Sequence, residues 1–228
     1  MQKIEFDNLL RNYVDFRKVE ESKGIDLEPF MMPLFSKNFA KKFVVIKKYR
    51  YISDFLQKHC TGGKALDFGT GFGAFLPILS KTHDEVVAVD AFLDQIIVAK
   101  DLVDYMRLNN VKVMQVPKEN GLEIFPASEF NTILAADVLE HNLNYKQIVD
   151  EMVRILKPNG IVVVSLPTEH PIYRLFARKE VEKDEMRGHV YHSYKGFLEV
   201  KKYIDNKFKL LEEKDILTFI HIEILTNR

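Results

Sequence analysis

The sequence predicts an α/β fold: seven strands in a mostly parallel sheet, helices on both faces, and a terminal antiparallel hairpin. Three observations carry that prediction. Short apolar runs alternate with helix-length stretches between residues 64 and 164. Ile161-Val162-Val163-Val164 is apolar with no polar alternation, as a strand covered on both faces is. Lys207 to Ile216 and Thr218 to Leu225 are both strand-like with almost nothing between them. No helix can join them, so they should pair antiparallel.

Each element follows in order. Residues 1 to about 60 read as helical, with Gly24 as their only glycine. Phe39, Phe43, Ile46, Ile52, Phe55 and Leu56 fall roughly on one helical face. Pro29 and Pro33 bracket a break before that helix, and Thr61-Gly62-Gly63 ends it as a turn. A strand is expected at 64–68, then a glycine loop, then a helix with Pro77 in its early part. Strands follow at Val86 to Asp90 and Val111 to Val116, with a helix at about 94–108 between them. Thr132 to Ala136 is the next strand, and a helix covers about 143–156. Lys157-Pro158-Asn159-Gly160 reads as the turn that stops that helix.

The loop at Asp67-Phe68-Gly69-Thr70-Gly71-Phe72-Gly73 carries the most chemistry. Glycine at every second position lets a ligand sit against the main chain. A helix start behind the loop should offer unpaired N–H groups. Asp67 stands two residues before the first glycine, where phosphate-binding loops usually avoid a carboxylate. A ligand with a cationic end would welcome it.

Composition sets the outer bounds. Lys+Arg and Asp+Glu are 33 each in 228 residues, so the net charge is zero, which argues against bulk nucleic-acid or membrane attraction. A chain of 228 residues can bury one large core, or one core with a small cap, and a hydrophobic content of 46% is ordinary for a soluble globular protein. The single Cys60 excludes an intrachain disulfide and a cysteine zinc site, and fits a reducing cytoplasm. Met1 to Arg11 mixes charge with apolar residues and does not read as a signal peptide. No apolar run approaches membrane-span length.

In this order and spacing the chain resembles the class I S-adenosylmethionine (SAM)-dependent methyltransferases. Five features carry the resemblance: the 67–73 loop, Asp90 after the second strand, Asp137-Val138-Leu139-Glu140-His141 after the fourth, Leu156-Lys157-Pro158-Asn159-Gly160 before the fifth, and the terminal hairpin. It implies a Rossmann-like, three-layer αβα domain over 61–228, with residues 1–60 as a helical cap and 168–195 as an acceptor-covering insertion. It implies that Gly69, Thr70, Gly71 and Gly73 approach the methionyl and ribose part of SAM, and that Asp67 faces the ammonium. Asp90 would accept hydrogen bonds from the ribose hydroxyls, and Ala91 and Phe92 would border adenine. Glu119 or Asn120 falls where an adenine contact is expected, with the choice between them open. Asp137 would lie beside the cofactor. The pattern looks most like the ubiquinone, glycan and natural-product group acting on small molecules.

His141 is the expected general base, and an oxygen acceptor follows because a histidine base would help a hydroxyl most. The alternative is that Glu140 and His141 only hold the loop. No metal is expected. Asp137, Glu140, His141 and His192 are the residues that could hold one, by similarity to the acid-x-x-Glu-His motif of RNA 3′-end methyltransferases. In that motif a Glu usually stands first, and here it is Asp137. Tyr173, Arg174, His189, Tyr191 and His192 are the acceptor-side residues, in a stretch rich in aromatic, basic and imidazole groups.

Three rival readings are weaker. Gly69-x-Gly71-x-x-Ala74 formally fits a dinucleotide fingerprint, and Tyr191-x-x-x-Lys195 mimics a dehydrogenase pair, but Phe75 stands where those enzymes need glycine. A nucleic-acid methyltransferase would bind RNA in a salt-sensitive way. A non-catalytic SAM-binding subunit would bind the cofactor without turnover.

Overall fold

The computed structural model of the chain describes residues 6–24, 34, 39–119, 121–168 and 194–228. Seven strands form one sheet in the order β3-β2-β1-β4-β5-β7-β6. They are β1 (Lys64–Phe68), β2 (Glu85–Asp90), β3 (Val111–Gln115), β4 (Phe130–Ala136), β5 (Leu156–Pro167), β6 (Phe208–Ile216) and β7 (Ile220–Asn227). The flanking helices are α1 (Phe6–Ser22), α2 (Phe39–His59), α3 (Leu76–Thr82), α4 (Leu93–Met106), α5 (Tyr145–Ile155) and α6 (Tyr194–Lys207). The chain divides into two compact units, Met1–Gln115 and Val116–Arg228. The break in the sequence around Pro29 and Pro33 lies outside the described residues.

In the first unit β1 pairs parallel with β2, and β2 with β3, in registers such as Leu66↔Val87 and Val87↔Lys112. The middle strand needs apolar side chains on both faces, and Val86 to Val89 are all buried. α1 buries Phe6, Leu9, Tyr13, Phe16 and Glu20, a stripe at helical spacing. α2 turns a different face inward from the one its aromatics suggest. Val44, Val45, Lys48, Ile52, Ser53 and Leu56 are buried, whereas Phe39 and Phe43 are 81% and 42% exposed. Two polar residues, Lys48 and Ser53, sit on the buried stripe, so apolar periodicity misplaces the face by part of a turn.

In the second unit β4 pairs parallel with β5, and β5 pairs antiparallel with β7. The terminal hairpin is present as expected, β6 against β7 with Ile216↔Ile220 nearest its turn. The Lys157–Gly160 stretch is not a free turn. It is a bulge within β5, because pairing jumps from Phe130↔Leu156 to Thr132↔Ile161. Asn159 takes a positive φ of 60° there. A side chain at Gly160 would meet Leu156 Cδ1 at 2.7 Å. α5 packs Ile148, Val149, Met152 and Ile155 inward and keeps its charges out.

Candidate functional site

The first unit builds its site at the carboxyl ends of β1 and β2, where ligands bind in open α/β sheets. β1 delivers Asp67 into the interior, 2% exposed. Its Oδ2 accepts a 2.6 Å hydrogen bond from Thr70 Oγ1. Burial pushes the Asp67 carboxyl up to about 7, the Thr70 hydroxyl pulls it down, and the nearby charge of Asp90 pushes it up. A neutral hydroxyl is thus the hydrogen-bond donor this buried acid has. The arrangement suits a ligand that brings a positive charge.

β2 ends at Asp90, whose two oxygens tie the loop to the next helix. Oδ2 accepts from Gly71 N–H at 2.9 Å, and Oδ1 from Phe92 N–H at 3.0 Å. Burial raises the Asp90 pKa, and these backbone N–H groups oppose the rise. Each oxygen keeps further lone-pair capacity, enough to accept from a vicinal diol. Ala91 O accepts from Gln115 Nε2 at 2.8 Å, which ties β3 to the strand end. The Phe92 ring is 57% exposed and offers a flat face there.

Glycine is required at Gly73. Its φ is +89°, and a Cβ would meet Leu76 Cδ1 at 2.8 Å. The loop does not, however, offer the free helix N–H groups expected behind it. Leu76 N–H donates to Gly73 O, Ile78 and Leu79 N–H donate to Phe75 O, and Pro77 has none. A pyrophosphate needs such donors at a helix N-terminus. Their internal use disfavours a dinucleotide and suits a ligand without phosphate.

Gln95 was not legible as a site residue. Its Oε1 is buried, has no partner among the described residues, and lies 3.7 Å from where a Gly71 side chain would begin. A buried amide oxygen without a donor is costly unless something completes it. Sequence offered only its place in the first turn of α4.

In the second unit, β4 ends at Ala136 and Asp137 follows it. Asp137 takes a positive φ of 55°, an uncommon state for a non-glycine residue. Its N–H donates to Ser165 O at 3.1 Å, and its Oδ1 accepts from Ser165 Oγ at 2.6 Å. The turn that follows, Leu139–His141, buries Leu139 and Glu140 and leaves His141 half-exposed. Asn142 Nδ2 closes it on Val138 O at 2.8 Å. Glu140 and His141 therefore diverge: one points into the core and the other is within reach of solvent.

Glu119 lies in an exposed turn after β3. Asn120, Tyr173, Arg174, His189, Tyr191 and His192 lie outside the described residues. Asp137, Glu140 and His141 do not converge as a metal-ligand group among the described residues. The group that does is Glu213, His221 and Glu223 on the hairpin.

S-adenosylmethionine has an ammonium, a ribose diol and an adenine, and no phosphate. The residues present fit each part: Asp67 for the charge, Asp90 for the diol, and Phe92 with Gln95 at the edge of α4.

Known proteins are similar to this chain. A family model described as a methyltransferase domain matches residues 41–199. The ubiquinone biosynthesis O-methyltransferase of Bradyrhizobium diazoefficiens is 29% identical over 167 residues, covering 70% of this chain and 64% of that protein. The phosphatidylethanolamine N-methyltransferase of Cereibacter sphaeroides is 29% identical over 103 residues, covering 45% of this chain and 50% of its own. The chain thus spans about half to two thirds of the length of these curated relatives. Among solved structures, the N-methyltransferase NodS from Bradyrhizobium japonicum WM9 with S-adenosylhomocysteine superposes with a TM-score of 0.64. It is 16% identical and covers 93% of this chain and 98% of its own. A SAM-dependent methyltransferase from Aquifex aeolicus gives 0.61 at 16% identity, with 94% and 98% covered. These structural likenesses show the fold.

Proposed function

Because the chain belongs to the methyltransferase-domain family, whose model covers residues 41–199, we propose that it transfers a methyl group from S-adenosylmethionine to a small-molecule acceptor, at oxygen. The observation that carries this reading is Asp67: a buried carboxylate, pushed up to about 7, with a neutral hydroxyl as its hydrogen-bond donor.

S-adenosylmethionine supplies a methyl group on a sulfonium that is already a good leaving group. The protein's work is to bind, align and, for a hydroxyl acceptor, remove a proton. In this reading Asp67 receives the ammonium and Asp90 accepts from the ribose hydroxyls while holding Gly71 and Phe92 in place. Ala91, Phe92 and Gln95 border the adenine, with Glu119 or Asn120 beyond them. Asp137, fixed by Ser165, holds the strand end beside the cofactor. His141 takes the acceptor proton, and Glu140, buried in the same turn, fixes the turn.

The domain plan is part of the proposal. Residues 61–228 form the methyltransferase domain and 1–60 a helical cap. Residues 168–195 would cover the acceptor with Tyr173, Arg174, His189, Tyr191 and His192. No helix among the described residues is long and apolar enough to cross a membrane. The lone, buried Cys60 is compatible with a reducing cytoplasm.

Calorimetric titration with SAM, S-adenosylhomocysteine and NADH tests the reading. Micromolar binding of both adenosyl ligands and none of NADH is the expected result. Binding of NADH alone would overturn it.

A further inference from the structure

Two tyrosines from the N-terminal helices reach the cofactor loop from behind. Tyr13 of α1 is fully buried, and its hydroxyl donates to Ala74 O at 2.6 Å. Its ring meets Phe72 edge-on, with centroids 5.9 Å apart at 89°. Tyr49 of α2 stacks on Phe75, with centroids 4.6 Å apart at 10°. These contacts fall on three of the four residues from Phe72 to Phe75, the span that contains Gly73. None of the α1 and α2 residues involved is one of the cofactor residues assigned above.

The physical consequence concerns the conformational freedom of the loop backbone. The loop holds glycines at φ of 71°, 54° and 89°, and glycine pays the largest entropy for one fixed conformation. Asp90 pins the front of the loop through Gly71 N–H. Behind Gly73 the described side-chain hydrogen bond is Tyr13 to Ala74, supported by the two ring contacts. Burial pushes the Tyr13 phenol up, so it stays a neutral donor across any working pH.

We infer that Tyr13 and Tyr49 are positioning residues for S-adenosylmethionine: they hold Phe72–Phe75 so that the glycine loop is preformed when the ligand arrives. This rests on the cofactor reading above. It makes α1 and α2 part of the cofactor site, whatever else they cover. Preorganisation of this kind lowers the cost of binding without adding a contact.

The test is calorimetric titration with S-adenosylhomocysteine, well below each variant's unfolding temperature. Wild type is compared with Tyr13→Phe, Tyr49→Leu and Tyr49→Phe. Phe16→Leu is the control, since Phe16 anchors α1 on Tyr105 of α4 at 5.5 Å, away from the loop. Tyr13→Phe keeps the ring and loses one buried hydrogen bond, so the dissociation constant should rise about threefold to tenfold. Tyr49→Leu should weaken binding similarly, and Tyr49→Phe should restore it. Phe16→Leu should lower thermal stability and leave the dissociation constant within about twofold. Unchanged affinity in Tyr13→Phe and Tyr49→Leu overturns the inference alone. Equal weakening by Phe16→Leu overturns it too, by reducing the effect to helix docking. A wild type that binds neither adenosyl ligand overturns the cofactor reading and this inference with it.

Discussion

Two buried carboxylates, Glu223 in the second unit and Asp67 in the first, are treated in opposite ways. On the terminal hairpin Glu223 is completely buried, yet Lys201 Nζ sits 2.6 Å from its Oε1 and His221 Nε2 lies 3.3 Å away. Burial alone would lower the Lys201 and His221 pKa values. The hydrogen bonds and charges of Glu223, with Asp205 for the lysine and Asp215 for the histidine, more than reverse it, and both are raised. Chain cations neutralise chain anions. In the glycine loop Asp67 is equally buried, and its hydrogen-bond donor is the Thr70 hydroxyl. Glu223, buried in the hairpin, is met by cations of the chain itself. Under the proposed function the charge of Asp67 is met by the ligand, and its raised pKa follows from burial without a cation among the described residues to offset it.

The sharpest way to break this comparison is to remove the hairpin's cation. Lys201→Met takes from buried Glu223 its nearest cation and leaves His221 Nε2 at 3.3 Å, and breaking such a pair costs about 3–5 kcal/mol. Lys201 is itself partly accessible, so the lower end is expected. Urea unfolding monitored by circular dichroism measures it. S-adenosylhomocysteine affinity of the folded variant should stay at the wild-type value. Little loss of stability would mean the hairpin cluster is no better neutralised than the loop.

The loop should answer with the opposite pattern. Asp67→Asn removes an unneutralised buried charge, so unliganded stability should hold or rise. SAM affinity should fall by about 1.5–3 kcal/mol, the scale of a charged hydrogen bond. Asp90→Ala should lose a similar amount of affinity. It should also lose stability, because Gly71 and Phe92 N–H groups are left without their acceptor. Titration and thermal melts on the same samples separate the two. An Asp67→Asn variant that unfolds early and still binds SAM would make Asp67 a structural acid.

The two centres share the sign of their pH dependence and differ in its window. Asp67 has a raised pKa, so the folded protein holds its proton between the ordinary 3.8 and about 7, while the unfolded chain does not. Its contribution to stability therefore falls as pH rises through that window and is flat above it. His221 is raised as well. Its contribution is full below the unfolded histidine value of about 6.5 and is lost as pH rises through the higher folded value. SAM prefers ionised Asp67, so affinity should climb as pH rises toward about 7 and level off. Calorimetry at pH 6 in buffers of different ionisation enthalpy should show proton release on binding. Asp67→Asn should abolish it. A flat affinity from pH 5.5 to 8 would contradict this charge assignment.

Sequence made the sheet legible because its strands are unbroken apolar runs: Val86 to Val89 and Ile161 to Val164 could hardly be anything else. Asp67, Gly71 and Asp90 were legible because strand ends and glycine spacing place them without knowledge of packing. What stayed hidden needed the third dimension. Phe39 and Phe43 look like core and point outward, because Lys48 and Ser53 take places on the buried face. Lys157–Gly160 looks like the turn that ends α5 and falls inside β5, because pairing with β4 begins at Leu156 and resumes at Ile161. The Tyr13 hydroxyl meets a carbonyl 61 residues away. No local pattern announces that.

Gln95 gives the smallest effect and the finest version of the comparison. Its Oε1 is buried beside the glycine loop with no partner among the described residues, a neutral counterpart of Asp67. Gln95→Leu keeps much of the volume and removes the amide. If the ligand completes this group, as it completes Asp67, the unliganded protein should gain about 1 kcal/mol, because an unsatisfied polar atom is gone. SAM affinity should fall by a few-fold at most, since one neutral hydrogen bond is lost. The same variant measured with adenosine should lose affinity in proportion, if the first turn of α4, which follows Phe92 and holds Gln95, meets the adenosine end as proposed. Measured with methionine alone it should not. A gain in stability with no change in adenosine affinity would make Gln95 a packing defect of the loop. It would leave Asp67 as the one buried group whose partner arrives with the ligand.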